Sequence, residues 1–137
     1  MFDIEAFLDG AAAFAVAFAA ALAFMLAFKV LYQLATPHRE RELIAAGNPA
    51  AAITLGGAVL GYVVPLATAL TQTSSLVEFA AWAALAGVIQ IVVFLLVRRL
   101  AFRDLSARIE QGEVAAALYL LTLSLAVGLL NAASMTA

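Results

Sequence analysis

The sequence predicts an all-α, polytopic membrane protein with four transmembrane helices, built as two tandem parallel two-helix repeats. Hydrophobic residues make up 66% of the 137 residues and charged residues only 12%, with a mean hydropathy of +1.08. A soluble domain carries roughly 25% charged residues, so about half of the usual solvated surface is missing. The apolar runs exceed the roughly 18 residues that mark a membrane-spanning helix. One loop-to-helix stretch also occurs twice along the chain.

The apolar runs predict membrane-spanning helices at about residues 11–35, 49–71, 76–100 and 114–135. The first follows an acidic segment, residues 1–10, which lacks the basic start of a secretory signal peptide. It is predicted to stop at Thr36-Pro37, because proline disfavours a helical residue before it. Asn48 and Pro49 are typical of the N-cap and first position of the second helix.

The two loops that join helix one to two and helix three to four are predicted to contain short interfacial helices. The first is charged at its start and then apolar, so that Leu43 and Ile44 can enter the lipid boundary. In the second, Leu105 and Ile109 lie four residues apart and share one face. The single histidine, His38, is interpreted as an ordinary surface residue. All seven basic residues lie in or beside these loops: Lys29, Arg39, Arg41, Arg98, Arg99, Arg103 and Arg108. The positive-inside rule therefore places both loops in the cytoplasm and both termini outside.

The internal repeat relates residues 14–70 to residues 79–135 without a gap. Of the 57 aligned pairs 13 are identical, and six of these fall in the loop-to-helix stretch, including Ile44 with Ile109 and Gly47 with Gly112. Because each unit has two helices, both units have the same orientation, related by a pseudo-twofold axis along the membrane normal. We expect one membrane domain that spans residues 1–137.

Four stretches resemble a known bacterial family, the YjfL-like proteins or domain-of-unknown-function 350. They are TPHRERELIAAGNPAAAITLGGAVLGYVVPLA, WAALAGVIQ, IEQGEVAAA and GLLNAASM. The resemblance implies a small protein of the bacterial inner membrane, built of two tandem two-helix units, and an association with envelope-stress and peptide-ligase-type systems. In such a membrane the positive-inside rule puts both termini on the periplasmic side. It implies no catalytic residues.

Polar groups at membrane depth are one set of candidate functional residues: Lys29, Tyr62, Gln90 and Asn131. Lys29 either extends its stem to the headgroups or faces a cavity in the bundle. The other three either form hydrogen bonds between helices or line a polar path for a solute. A pore would require an oligomer, because four helices rarely leave room for one. Small residues that favour close helix packing are Gly57, Gly61, Ser124 and Gly128.

The charged loops hold a second candidate set, for an anion, an anionic lipid or a protein partner: Arg39, Arg41, Gly47, Asn48, Arg98, Arg99, Arg103 and Arg108. The simple interpretation is topology determination and attraction to anionic lipid. The alternative is an anion site at a helix N-terminus, which attracts phosphate or carboxylate. Such a site is expected in the first repeat, because Glu113 adds a negative charge in the second.

Composition also limits the function. No Asp or Glu lies at membrane depth, which argues against proton-driven transport, and a net charge of −2 gives no sign of nucleic-acid binding. We expect no catalytic set, metal or cofactor. The favoured hypothesis is a non-enzymatic, self-associating scaffold in the lipid bilayer that docks a cytoplasmic partner through its basic loops. The alternatives are an oligomeric passive channel or small-solute transporter, and an accessory membrane subunit of an enzyme system.

Overall fold

The computed structural model describes residues 1–36, 39–100 and 103–137. Within them the chain forms four long and two short helices: α1 (Ile4–Ala35), α2 (Glu40–Ala45), α3 (Pro49–Gln72), α4 (Leu76–Leu100), α5 (Leu105–Glu110) and α6 (Val114–Met135). The four long helices of this described part are long and apolar enough to cross a membrane. The all-α, multi-pass fold class is confirmed. The predicted stop at Pro37 and the interpretation of His38 fall on residues outside the described ranges.

The first helix begins earlier than predicted, at Ile4 rather than near residue 11. Asp3 is its N-cap, and one Asp3 carboxylate oxygen accepts hydrogen bonds from the backbone N–H of Glu5 at 3.0 Å and of Ala6 at 3.1 Å. Acidic side chains stabilise the positive end of a helix dipole. The acidic segment therefore starts the helix instead of preceding it.

Both short helices end in the same hydrogen-bonded corner. After α2, the N–H of Gly47 donates to Ile44 and the N–H of Asn48 donates to Leu43, each at 2.9 Å. After α5, Gly112 and Glu113 donate in the same pattern to Ile109 and Arg108. Both glycines have positive φ, 86° and 78°, which side-chain-bearing residues rarely adopt. The glycine identity in the repeated stretch is thus a backbone requirement.

The core of the bundle is the contact between α3 and α6, which run parallel. A Cβ added to Gly57 would lie 2.6 Å from Leu121 Cδ1, and one added to Gly61 would lie 2.5 Å from the Ser124 carbonyl oxygen. A Cβ on Gly128 would overlap the Gly61 carbonyl group. Contacting residues such as Gly57 and Leu121 are separated along the chain by nearly the same distance as the aligned residues of the two repeats, which are 65 positions apart. The repeat itself stays a prediction, and this register is the one expected if α3 and α6 flank a pseudo-twofold axis.

The other two long helices flank this pair. Helix α4 runs antiparallel to α3 and α6 and contacts both, whereas α1 lies against α3 and α4 through a ladder of aromatic rings. Ring centroids are 5.5 Å apart for Phe24 and Phe79, and 4.3 Å apart for Phe28 and Tyr62. The first half of α1 is almost wholly exposed, as expected of a surface in contact with lipid. We call the end where α1 and α4 finish the basic end.

Candidate functional site

The polar groups at membrane depth bind one another and main-chain carbonyls. The Tyr62 hydroxyl donates to the Ala83 carbonyl at 2.8 Å, which joins α3 to α4. The Asn131 amide donates to the Ala86 carbonyl at 3.1 Å and to Gln90 Oε1 at 3.4 Å, and this joins α6 to α4. Buried polar groups in a membrane need such partners, because lipid supplies none.

The space around this polar network is small. Gln90 and Ser124 line a cavity of about 20 Å³, which is room for about one water molecule. The Gln90 amide also donates to the Ser124 carbonyl at 3.4 Å. This arrangement favours hydrogen bonding between helices over a solute path within a single chain.

Lys29 lies half-buried on α1, next to the buried ring of Phe28. It forms no ion pair with any residue that the structure describes. Both interpretations of this side chain, extension to the headgroups and a cation facing a cavity, therefore stay predictions.

At the basic end, the charged residues at the start of α2 differ in burial. Glu40 is only 2% exposed, whereas Arg39 and Arg41 are exposed. Arg39 Nη1 lies 3.5 Å from Glu42 Oε1, and both side chains are largely in solvent, where such a pair contributes about 0–1 kcal/mol. We call Arg39 and Arg41 the α2 surface. Glu42 is exposed beside them, so the solvent side of the sequence RERE carries two guanidiniums and one carboxylate and stays net positive, although the sequence is balanced in charge.

The burial of Glu40 was not predicted, although the repeat alignment contains the signal. Glu40 aligns with Leu105, which is 1% exposed, so an apolar residue marks this position as facing the core. Glu40 lies close enough to Tyr32 to interact with it electrostatically. The Tyr32 hydroxyl is buried and has no hydrogen-bond partner among the described residues.

Asn48 uses its whole side chain inside the protein. Its Oδ1 caps α3 by accepting from Ala51 N–H at 3.1 Å, and its Nδ2 donates to the carbonyls of Ile109 at 2.8 Å and Glu110 at 3.2 Å. One residue thus caps α3 and ties it to the end of α5. At the N-terminus of α3, the predicted anion site beside Gly47, the Ala51 N–H therefore already has a hydrogen-bond partner within the chain.

Arg108 and Glu113 form a bidentate ion pair. Arg108 Nε donates to Glu113 Oε2 at 2.9 Å and Nη2 donates to Oε1 at 2.6 Å, with both side chains half-buried. These hydrogen bonds lower the pKa of Glu113 and raise the pKa of Arg108. Glu113 occupies the N-cap position of α6 but makes no side-chain cap bond. Its carboxylate pairs with Arg108 instead, and this pairing neutralises its charge within the loop.

This pair predicts a pH dependence. Because folding lowers the pKa of Glu113, the carboxylate stabilises the fold at neutral pH and loses that effect as the pH falls through its folded pKa. Glu113→Gln should therefore lower Tm at neutral pH and flatten the decline of Tm on acidification. Thermal unfolding of purified protein in detergent checks this, with Glu110→Gln as the control that keeps the wild-type profile. Equal acid sensitivity of Glu113→Gln and wild type would contradict the assignment.

The remaining arginines come together at the end of α4. Arg98, Arg99 and Arg103, with Leu95, line a pocket of about 440 Å³. Arg98 Nη1 lies 3.5 Å from the Ala35 carbonyl at the end of α1. Arg99 and Arg103 are exposed and pair with no acidic residue of the described chain. We call this the arginine pocket. The sequence supplied its arginines but not Leu95.

A metal site is not formed by the residues that the structure describes: no three His, Cys, Asp or Glu side chains among them come together in a suitable group. The arrangement at the basic end suits anions instead. Its chemistry is that of guanidinium groups that bind phosphate or carboxylate through paired N–H donors.

Comparison with known proteins identifies the family. The Domain of Unknown Function (DUF350) family matches residues 6–135, nearly the whole chain. The chain belongs to the DUF350 family. Two DUF350 relatives are the UPF0719 inner membrane protein YjfL of Escherichia coli strain K12 and the same protein of Escherichia coli O157:H7. Each is 40% identical over 129 residues, which cover 94% of this chain and 97% of the relative.

Family membership and four apolar helices make this DUF350 protein a multi-pass inner membrane protein. The resemblance to the YjfL-like proteins is confirmed. No solved structure matches the chain. Neither the DUF350 description nor the relatives' names include an enzymatic activity, so the residues at the basic end are the starting point for a function.

Proposed function

We propose that this protein is a non-enzymatic scaffold that docks an acidic soluble partner at the α2 surface. One observation carries the proposal: the fold buries Glu40 and leaves Arg39 and Arg41 exposed. A short segment of balanced charge thereby presents two guanidiniums to solvent. Positive surfaces of this kind steer and orient acidic partners.

The positive-inside rule places this surface in the cytoplasm. Short loops support the assignment, since loop charge sets orientation most strongly when the loops are short. The partner is then a cytoplasmic protein, and the association with envelope stress that the family resemblance implies is part of the same proposal.

Self-association belongs to the proposal too. The small residues Gly57, Gly61, Ser124 and Gly128 meet inside one chain, between α3 and α6. They are therefore occupied, and a second copy would pack on the exposed faces of α1 or α6.

The passive channel receives less support. Its expected lining residues, Gln90 and Asn131, bond to each other and to main-chain carbonyls of the same bundle. The role as a subunit of an enzyme system rests on the family resemblance alone, which is an analogy rather than a site.

Copurification from native membranes tests the docking. The Arg39→Ala/Arg41→Ala variant should retain a stoichiometric soluble partner about tenfold less than wild type, because steering and rim contacts are lost. The matched control is Arg99→Gln/Arg103→Gln, which removes the same charge from the same end and should keep the partner. Equal recruitment by all three proteins would rule the α2 surface out. A clean homo-oligomer without any attached protein would favour the channel, with liposome flux as the next measurement.

A further inference from the structure

The arginine pocket at the end of α4 is separate from the α2 surface and has a different composition. We propose that it binds the phosphate of an anionic phospholipid, with Arg98, Arg99 and Arg103 around the phosphate and Leu95 against the start of an acyl chain. A lipid headgroup and free phosphate would both present a phosphate group to these arginines. The proposed occupant is a lipid of the surrounding membrane.

Charge is the first argument. Three guanidiniums line the pocket, and among the described residues that line it none is acidic. Elsewhere at this end, Arg108 is bound by Glu113 and Arg39 lies near Glu42. The C-terminus of α4 contributes a partial charge of only about −0.5, so the pocket stays strongly positive. An anion would balance it.

Position is the second argument. Leu95 is 38% exposed and lies on the apolar, lipid-facing part of α4. Arg98 and Arg99 follow it by three and four residues, so all three side chains lie on one helix face. Along the helix axis this face changes from apolar to cationic, as an anionic lipid changes from acyl chain to headgroup. A free anion has no apolar part that could pack against Leu95.

Geometry is the third argument. The pocket holds about 440 Å³, and guanidiniums bind phosphate through paired, charge-assisted hydrogen bonds. Arg98 is fixed by its contact with the Ala35 carbonyl, whereas Arg99 and Arg103 are exposed and free to close over a headgroup. A zwitterionic headgroup would place an ammonium group among the arginines, where it is repelled. The pocket should therefore select a net negative lipid.

Native mass spectrometry of the full chain in mild detergent tests the site, with dioleoylphosphatidylglycerol and dioleoylphosphatidylcholine as probes. Wild type should bind phosphatidylglycerol in preference to phosphatidylcholine. Arg99→Gln/Arg103→Gln should bind phosphatidylglycerol roughly 30-fold more weakly, the effect of two basic residues near an anionic surface. Arg39→Gln/Arg41→Gln removes the same charge from the α2 surface and should bind as wild type.

A second variant is needed because the loss of two positive charges could itself alter how the chain inserts in the membrane. Arg99→Lys/Arg103→Lys retains both charges but not the paired donors, and its affinity should fall between those of wild type and the glutamine variant. Unchanged affinity in both pocket variants would overturn the proposal. So would an equal loss in the α2-surface variant, because that result indicates diffuse charge attraction.

The lipid is distinguished from free phosphate by two further arms. Leu95→Ala should weaken phosphatidylglycerol binding, and equimolar inorganic phosphate should not displace the lipid. If phosphate displaces it and Leu95→Ala has no effect, the pocket is a site for a soluble anion and the lipid assignment is wrong. The docking proposal is judged separately, since it depends on Arg39 and Arg41 and on a protein readout.

Discussion

Gly128→Ala is expected to destabilise the bundle by about 3 kcal/mol or more, because it has the closest contact of an added Cβ among the glycines of the described chain. The added Cβ would overlap the carbonyl group of Gly61 on α3. That group is main chain, so relief requires α3 and α6 to move apart as whole helices. Overpacking in a well-packed core typically costs about 1–3 kcal/mol when side chains can adjust, and here none is available to adjust.

Unfolding in mixed detergent micelles, followed by helix content or by Trp82 fluorescence, measures this effect. Gly56→Ala is the matched control. It lies on α3 beside Gly57, and an added Cβ there meets nothing within 4 Å. The control should be neutral or up to about 1 kcal/mol more stable, because alanine favours helix over glycine. Similar unfolding midpoints for both variants would show that α3 and α6 are not in close contact.

Asn48→Ala should cost about 2–3 kcal/mol, the second large effect. The substitution removes the cap of α3, worth about 1 kcal/mol. It also removes two hydrogen bonds to the carbonyls of Ile109 and Glu110, each worth about 1 kcal/mol.

Asn48→Ser separates the two contributions. The serine hydroxyl can still accept from Ala51 N–H, but it is too short to reach the end of α5. We expect it to recover about half of the loss in the same unfolding measurement. If serine restores full stability, the cross-link to α5 contributes nothing and Asn48 is only a cap.

The sequence was sufficient for the four-helix class and for the start of α3, because each rests on local physics. Apolar run length identifies a membrane helix, and Asn48-Pro49 is a local N-cap signal. Gly47 and Gly112 are needed where the backbone takes positive φ. The start of α1 was missed for an equally local reason. Asp3 is compatible with a helix N-cap and with an acidic segment that precedes the helix. Composition alone does not distinguish these two possibilities.

The candidate site was less predictable, because it depends on which residues the fold brings together. Sequence indicated the arginines but treated them as one basic cluster. The structure divides them: Arg108 binds Glu113, Arg39 and Arg41 form the α2 surface, and three others surround Leu95. Such sorting follows from tertiary packing, since the burial of Glu40 depends on how α2 packs against the rest of the bundle.

The length of α1 has a consequence for the end opposite the arginines. Its 32 residues span about 48 Å at ~1.5 Å per residue, whereas the hydrocarbon layer is ~30 Å thick. An average tilt of about 20° shortens the projection only to about 45 Å. The helix is therefore longer than the hydrocarbon layer needs, and the turns that carry Asp3 and Glu5 extend beyond that layer into the headgroup region. A tag fused at Met1 would begin at the headgroup region, and its orientation would follow the tilt of the whole helix.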